Sequence, residues 1–287
     1  MMTYVKTVLA LLVAAAVLLV ACEEVPPTLT LQEGGAAGPT SSELSEQPKG
    51  VLMEEFTGVR CVNCPAGAEA IAQFKVLYGE RLVPISLHTG FFARPYTENV
   101  FDFRTPASDA IETFLGAPQG YPSAVIDRVV FSGETGLQVG RSLWAGYLST
   151  RLAEEPSVGI GVTPTYDADA ATLTVEVEWL GRAGLTDREA YLSVLLLEND
   201  LVDYQLTPDG KQADYVHKHA LREALTAPTG DPIGVLTEGQ GDTRTYTLGV
   251  PADYAPDNLE IAAYIHHADA AAGGKEVLQA VVKKVGE

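Results

Sequence analysis

Two cysteines three positions apart carry the clearest chemical signal in this sequence. Cys61 and Cys64 stand between a predicted strand and a predicted helix, in the segment Arg60-Cys61-Val62-Asn63-Cys64-Pro65. The free N–H groups and partial positive charge of a helix N-terminus stabilise a thiolate, the form of cysteine that attacks disulfides. Cys61 is therefore predicted to be the more exposed and more acidic thiol, and Cys64 can close a bond with it after such an attack. The pattern predicts thiol–disulfide exchange, with Arg60 adding positive potential.

An inert disulfide and a metal site are the alternatives for this pair. A bridge that closes a loop of about 4 residues stabilises a fold by only about 2 kcal/mol, less than a bridge across a long loop. A zinc site needs two further ligands nearby, and the sequence holds no second pair of cysteines. We therefore expect a redox-active disulfide between Cys61 and Cys64, with no metal or other cofactor, and the inert bridge stays open as the alternative.

The third cysteine, Cys22, directly follows an apolar run. Residues 8–21 are apolar or alanine, but they are fewer than the roughly 20 that a membrane-spanning helix needs. With Lys6 before this run, residues 1–21 are predicted to be an export signal. Leu19-Val20-Ala21-Cys22 resembles the bacterial lipobox, which implies cleavage before Cys22 and acylation of its thiol. The alternative is an ordinary cysteine in a secretory peptide that is cleaved elsewhere.

The segment after Cys22 and the overall charge limit the partners. Residues 22–48 contain four prolines and a Gly-Gly-Ala-Ala-Gly stretch without periodic pattern, which predicts a flexible acylated tether with a reach on the order of 25–30 Å. The chain of 287 residues has 19 Lys and Arg against 38 Asp and Glu, a net charge of -19. This charge repels phosphate backbones and argues against nucleic acid as a partner.

The cysteine pair lies in a region with the pattern of an α/β domain, predicted over residues 49–155. Apolar-rich strands alternate with amphipathic helices there, and the first three elements form a β-α-β unit. The predicted strands are 51–57, 82–88 and 123–130, and the predicted helices are 64–78, 107–115 and 137–153. Pro156 ends the last helix, because the residue before a proline resists helical geometry.

Beyond Pro156 the apolar pattern changes from helical to alternating. Residues 172–179 are the clearest case, with an apolar-dominated face opposite threonine and glutamate. Strands separated by Gly, Pro and Asp turns are typical of an antiparallel β-sandwich of the immunoglobulin-like kind. Residues 157–287 are therefore predicted to be a separate all-β domain, with strands at 158–166, 172–179, 191–198, 243–250, 259–266 and 276–284.

The first domain resembles a thioredoxin-like domain. The resemblance rests on Phe56, on Cys61-x-x-Cys64, and on Gly120-Tyr121-Pro122 followed by the strand 124–128. It implies that Cys61 is the nucleophile, that Cys64 resolves the mixed disulfide, and that Pro122 is a cis-proline that guides the substrate backbone. The Val62-Asn63 dipeptide and Arg60 depart from the residues usual in that family.

The same resemblance implies that Glu55 is a buried acid that relays a proton to the second cysteine. Glu54 beside it must face the other side of the strand, so one of the two glutamates is expected to be exposed. The alternative is that Glu55 itself points to solvent. Pro118 competes with Pro122 as the cis-proline, and an ordinary trans peptide is the alternative for both.

Five histidines are further candidates for chemistry. His88 ends the second predicted strand, and the carboxyl ends of parallel strands share one sheet edge, where Cys61 should also lie. An acid–base role for His88 competes with ordinary hydrogen bonding. Alternation places His217 and His219 on one face, but no carboxylate partners are evident, so no metal site is assigned. His266 and His267 form a second pair in the same region.

Over residues 50–287 the chain resembles the Omp28-related lipoproteins of the Bacteroidetes outer membrane. The matching stretches are 51–58, which runs into the cysteine pair, 121–123 with 127–128, and 215–222. The resemblance implies an outer membrane lipoprotein, in the periplasmic or the surface leaflet, held by its lipid anchor. Thiol–disulfide exchange on exported or envelope proteins is the predicted function. The alternative is a non-catalytic surface-binding or adhesion lipoprotein whose cysteines form an inert bridge.

Overall fold

The β-α-β unit around the cysteine pair has the predicted boundaries. The structure, a computed structural model, describes residues 42–269 and 274–286, so the predicted signal segment, Cys22 and all but the end of the tether lie outside the described residues. The elements of the first half, in chain order, are α1 (Ser42–Glu46), β1 (Val51–Thr57), α2 (Cys64–Tyr78), β2 (Leu82–His88), α3 (Pro106–Leu115), β3 (Ser123–Ile126), β4 (Gln138–Gly140) and α4 (Trp144–Leu152).

Strands dominate the second half. In chain order they are β5 (Val158–Asp167), β6 (Thr172–Gly181), β7 (Glu189–Glu198), β8 (Leu201–Thr207), β9 (Gly210–His217), β10 (Ala220–Ala224), β11 (Asp231–Val235), β12 (Gly241–Gly249), β13 (Leu259–His266) and β14 (Val277–Lys284). None of the described helices has the length and apolarity needed to cross a membrane. The described chain is thus a mixed α/β structure made mostly of sheets.

The central strand β1 is buried on both faces. It pairs in parallel with β2 and antiparallel with β3, and every residue of β1 and β2 is buried. On one face Met53 belongs to a cluster with Ile71 of α2 and Trp144 of α4. On the other face Phe56 belongs to a cluster with Ile111 of α3. The prediction that one of two adjacent glutamates on β1 is exposed is therefore wrong, because helices or strands cover both sides.

One sheet runs across the predicted domain boundary. Its strand order is β14-β13-β7-β10-β2-β1-β3-β4, with β11 also paired to β7. β10 joins the two halves, since Ala220 pairs with Ser86 of β2 and the Ser86 N–H donates to the His219 carbonyl at 2.8 Å. The structure thus differs from the predicted division into separate bodies over 49–155 and 157–287. The described residues all lie in one compact unit.

A second sheet, β12-β6-β5, covers part of the first. Its apolar residues share a core with β7 and β13, in which Val175 and Trp179 face Leu192 and Ile261. The two layers of strands thus enclose one apolar core. β8 and β9 form a separate hairpin, which the sequence analysis missed together with β10 and β11.

Two predicted elements end earlier or begin later than expected. β3 stops at Ile126 because Asp127 and Arg128 have positive φ angles of 46° and 54°, which a strand cannot accommodate. The predicted helix over 137–153 begins only at Trp144, since residues 138–140 form β4 and pair with β3. A strand as short as β4 has too few residues to show an alternating apolar pattern, so the sequence does not predict it.

The positive φ angles aim two charged side chains into the interior. The Arg128 guanidinium donates to Glu54 at 2.6 Å and to the Tyr264 hydroxyl at 2.9 Å. Asp127 accepts from Lys49 and Arg151 at 3.1 and 2.9 Å. All of these charged groups are buried, and each has an oppositely charged partner, which a buried charge requires. The network ties β1 and the turn after β3 to β13.

Candidate functional site

The cysteine pair forms a disulfide at the start of α2. Cys61 and Cys64 are bonded, with their Cα atoms 5.3 Å apart. The turn that holds them is closed by two backbone bonds, from Cys64 N–H to the Cys61 carbonyl at 3.2 Å and from Cys61 N–H to the Gly58 carbonyl at 3.0 Å. The exposed fractions are 3% for Cys61 and 2% for Cys64. In the disulfide form Cys61 is therefore not the exposed residue that the sequence predicts.

The β8–β9 hairpin covers the segment that leads into the cysteines. The Gln205 side-chain amide donates to the carbonyl oxygens of Cys61 at 3.0 Å and of Gly58 at 3.3 Å. The Leu206 N–H donates to the Val59 carbonyl at 2.7 Å. Sequence analysis overlooked this hairpin, although Pro208-Asp209-Gly210 between two strand-like runs is a turn signal.

A second segment holds the same residues from another direction. The Arg60 N–H donates to the Phe92 carbonyl at 2.9 Å. At Gly58 a Cβ atom would lie 2.5 Å from that carbonyl oxygen, so only glycine fits. The Arg60 guanidinium donates to the carbonyls of Arg94 and Pro95 at 2.6 and 2.7 Å and lies 4.2 Å over the ring of Tyr96. Its donors thus hold residues 92–96 against the cysteine segment.

Glu55 is a buried acid close to the disulfide. Its exposed fraction is 2%, and burial raises the pKa of Glu55 to about 8, while a hydrogen bond from the Ser86 hydroxyl at 3.4 Å opposes the shift. Its Oε1 atom has no hydrogen-bond partner among the described residues. The neighbouring Glu54 is buried as well, but it is paired with Arg128.

Pro122 and Glu55 meet at the same point of α2. The Tyr121–Pro122 peptide is the one cis bond in the described part of the chain, as the thioredoxin-like resemblance implies for Pro122 rather than Pro118. A Cβ atom built on Gly67 would lie 2.6 Å from Glu55 Oε1 and 3.0 Å from Pro122 Cβ. Gly67 therefore lets both side chains approach the helix one turn after Cys64.

A cavity of about 730 Å³ opens beside the disulfide. Its walls come from β1, α2, β2 and the β8–β9 hairpin. Residues that line it next to the disulfide are Glu55, Cys64, Ser86, His88, Gln205 and His217. The structure thus brings together the predicted Glu55, Cys64 and His88 with three residues for which the sequence predicts no role at the pair, Ser86, Gln205 and His217.

Burial keeps two of the cavity histidines, His88 and His217, in their neutral form. Burial lowers the pKa of His88 to about 3, and the neighbouring His217 contributes to the shift. Burial also lowers the pKa of His217 to about 4. Both rings pack on Phe103, with centroids 4.7 and 4.5 Å from its ring. His88 Nδ1 and His217 Nε2 have no hydrogen-bond partner among the described residues.

The other histidines have separate surroundings. His219 also lines the cavity, and its Nδ1 lies 3.5 Å from Glu260 Oε2. His266 is buried between Arg128 and the Ser193 hydroxyl, at 3.3 and 3.0 Å. Within residues 42–269 and 274–286, no group of three or more His, Cys, Asp or Glu side chains could hold a metal ion.

A family model matches the chain over residues 110–287, and that model describes outer membrane protein Omp28. The match covers more than half of the sequence. This protein belongs to the Omp28 family. The family assignment confirms the location in the outer membrane of the cell envelope that the resemblance to Omp28-related lipoproteins implies. The matched residues of the Omp28 family include Pro122 and the β8–β9 hairpin, whereas the cysteine pair precedes them.

Two solved structures share the fold of this Omp28-family chain. HBP35 of Porphyromonas gingivalis has a TM-score of 0.67 at 20% identity, with 84% of this chain and 76% of that chain covered. Protein AGR_C_4864 from Agrobacterium tumefaciens has a TM-score of 0.51 at 16% identity, covering 85% and 97%. A domain of the outer membrane lipoprotein Omp28 from Porphyromonas gingivalis matches 45% of this chain at 19% identity, with a TM-score of 0.31. No curated protein sequence matches significantly.

Proposed function

We propose that this Omp28-family protein carries out thiol–disulfide exchange on exported or envelope proteins. In this proposal residues 49–155 are a thioredoxin-like region, and the layered strands that follow are an immunoglobulin-like sandwich. The β-α-β unit, the disulfide before α2 and the cis peptide at Pro122 support the first assignment. The packing of β5, β6 and β12 against β7 and β13 supports the second.

Glu55 is the observation that carries the proposal. Its carboxyl group shares a cavity with Cys64, is almost fully buried, and has one oxygen without a hydrogen-bond partner among the described residues. Such an oxygen destabilises a fold by roughly 1–3 kcal/mol, so stability does not explain why an acid is there. A raised pKa of about 8 lets Glu55 both accept and release a proton near neutral pH. An inert bridge needs no such group.

The proposed exchange takes two steps. The Cys61 thiolate attacks a disulfide in the partner protein, the partner's S–S bond breaks, and a mixed disulfide forms with release of one partner thiolate. Glu55 then accepts the proton of the Cys64 thiol, and the Cys64 thiolate attacks Cys61 Sγ. This closes the intramolecular disulfide and releases the second partner thiolate. Pro122 would guide the partner backbone along the pair.

Apolar surface next to Cys61 offers a place for the partner protein. Val62, between the two cysteines, is 40% exposed, and Phe91 and Phe92 are 64% and 37% exposed. The backbone of Phe92 contacts the cysteine segment directly. Exposed apolar side chains that cluster in this way are typical of protein contact sites.

Trapping of partners tests the proposal. The Cys64→Ala variant should accumulate mixed disulfides between Cys61 and envelope proteins, because the resolving thiol is missing. The Cys61→Ala variant is the matched control and should trap none on Cys64. Non-reducing electrophoresis and mass spectrometry of the membrane fraction identify the adducts. Equal absence of adducts from both variants would defeat the proposal.

Burial of both cysteines favours a second candidate, the non-catalytic binding or adhesion protein. The hairpin and residues 92–96 hold the cysteine segment from two directions, which is what an inert bridge would need. In that case reduction of the disulfide should leave partner binding unchanged, and the cysteine variants should trap nothing.

We also propose that Cys22 is the acylated anchor, because it follows the apolar run of residues 8–21. The Cys22→Ala variant should yield a soluble exported form or an uncleaved precursor. Membrane fractionation and intact mass measure the outcome. A mature wild-type chain that begins elsewhere and carries no lipid mass would contradict this assignment.

A further inference from the structure

The cavity beside the disulfide contains polar atoms that no part of the described chain satisfies. Glu55 Oε1, His88 Nδ1 and His217 Nε2 are buried without hydrogen-bond partners, and all three residues line the same cavity. Their exposed fractions are 2%, 2% and 5%. Buried polar groups in folded proteins are nearly always hydrogen-bonded. Three such groups around one cavity are positions at which a bound polar molecule can complete the hydrogen bonding.

The size and charge of the cavity limit that ligand. A volume of about 730 Å³ accommodates a small molecule and excludes a folded protein, since ligand pockets typically measure about 300–1,000 Å³. Lysines and carboxylates both line it, and Lys218 lies 3.2 Å from Asp200 at its wall. A lining with both signs of charge suits a zwitterion better than a simple anion or cation.

The position of the disulfide adds a chemical requirement. Cys64 is the one cysteine among the described residues that line the cavity. Val62 and Phe92, the apolar surface proposed for protein partners, do not line it. A small molecule in the cavity therefore meets the disulfide at Cys64, away from the surface beside Cys61.

We propose that the cavity binds a low-molecular-weight zwitterionic thiol, such as free cysteine or a short cysteine-containing peptide, which exchanges with Cys64. This proposal rests on the proposed function. It names the small molecule that would supply electrons to the Cys61–Cys64 pair or accept electrons from it. The ligand thiolate attacks Cys64 Sγ, the Cys61–Cys64 bond breaks, and Cys61 leaves as a thiolate and takes up a proton. A second ligand thiolate attacks the ligand sulfur, releases Cys64 as a thiolate, and departs as the ligand disulfide. Two ligand thiols are oxidised and one protein disulfide is reduced.

Kinetics with a blocked cavity test the proposal. Reduction of the full-length oxidised protein by L-cysteine should saturate with concentration and should slow at least tenfold in Ala68→Trp, which fills the cavity one turn after Cys64. Val76→Trp on the same helix is the matched control, because Val76 is 90% exposed and lies outside the lining; its rate should be unchanged. A linear dependence on cysteine, or equal rates for both variants, would overturn the proposal.

Single-cysteine variants give a second readout. With cystine as the probe, Cys64 in Cys61→Ser should gain a cysteinyl group at least tenfold faster than Cys61 in Cys64→Ser, measured by intact mass. Equal or reversed rates would exclude the cavity as the entry path. Partner trapping by Cys64→Ala distinguishes failure of this proposal from failure of the proposed function. If Cys64→Ala traps partner proteins but the reaction with cysteine or cystine does not depend on the cavity, only the small-thiol proposal is rejected. Absence of all exchange rejects both.

Discussion

Glu55 connects the chemistry of the site to the stability of the protein. Burial raises the pKa of Glu55 to about 8, so in the folded state the carboxyl group stays protonated at pH values where an unfolded chain has lost that proton. The folded state then binds more protons than the unfolded state between about pH 4.5 and 8. The free energy of unfolding must therefore fall as pH rises through this window.

The Glu55→Gln variant should remove that dependence. Glutamine keeps the shape of a protonated glutamate but cannot ionise. From pH 5 to pH 8 the free energy of unfolding should therefore decrease less in the variant than in the wild type, and the two decreases should differ by on the order of 3–4 kcal/mol. Urea unfolding at the two pH values measures the difference. Glu176→Gln, at an exposed position on β6, is the control. Parallel pH profiles for wild type and Glu55→Gln would show that Glu55 is ionised in the fold.

Among single residues, the sequence identifies those whose role can be recognised from neighbouring positions in the chain. A short stretch of sequence is enough to recognise the cysteine pair, the proline after Tyr121 and the acid on β1. Gln205 and His217 reach the site only through the pairing of β8 with β9 and its placement over residues 58–61. No local pattern reports such a contact, which is why neither residue was assigned to the pair.

The β8–β9 hairpin is the element that contacts the segment leading into the disulfide. Gln205 bonds to the carbonyls of Gly58 and Cys61 from a buried position. Neither Cys61 nor Cys64 is exposed, so in the proposed exchange we expect this contact to open before a protein partner reaches Cys61. The proposed function therefore predicts that the stability of this contact affects the rate of exchange.

Gln205→Ala should make the disulfide easier to reduce. Loss of a buried hydrogen bond destabilises the closed hairpin by roughly 1–2 kcal/mol, which corresponds to about a five- to thirtyfold increase in the open population. Reduction by a reduced protein thiol should accelerate to a similar extent. Gln212→Ala removes the same side chain from the facing, exposed position on β9 and should leave the rate unchanged. An unaltered rate in Gln205→Ala would mean that the hairpin does not limit access.

Elements with a long, regular apolar pattern are predicted within one or two residues. α2, β1, β2 and β13 match their predicted bounds. β8 is not predicted because the polar residues Asp203 and Gln205 occupy its buried positions. β9, β10 and β11 are not predicted because their burial does not alternate regularly. Hairpin strands of this kind are stabilised by pairing and by the surface they cover, and a single sequence shows neither.

At the largest scale, the described residues share one sheet that the sequence pattern divides in two. The apolar pattern does change from helical to alternating near Pro156. The two regions are nevertheless joined, because β10 pairs with β7 on one side and with β2 on the other. Buried side chains of the first half, such as Leu52, share a cluster with Leu195 and Tyr264 of the second. Topology of this kind follows from long-range pairing, which local periodicity does not encode.

The described chain should therefore unfold in one cooperative transition. A fragment of residues 49–155 would expose the free edge of β2 and the cluster around Leu52 to water, so we expect it to be unfolded or aggregated. Thermal unfolding of the mature chain, followed by far-ultraviolet circular dichroism and by near-ultraviolet signals, checks this. Two separated transitions, or a stably folded fragment, would show that the shared sheet does not couple the halves.

In the proposed function, the Cys61–Cys64 disulfide undergoes exchange and does more than stabilise the fold. Its reduction potential is the most direct test, measured on the mature chain by equilibration with glutathione or dithiothreitol and quantified by alkylation and mass. Redox-active pairs lie between about -270 and -120 mV, whereas structural disulfides lie below about -300 mV. We predict a value within the first range. A potential below about -300 mV would contradict the account and leave the cysteines as an inert bridge.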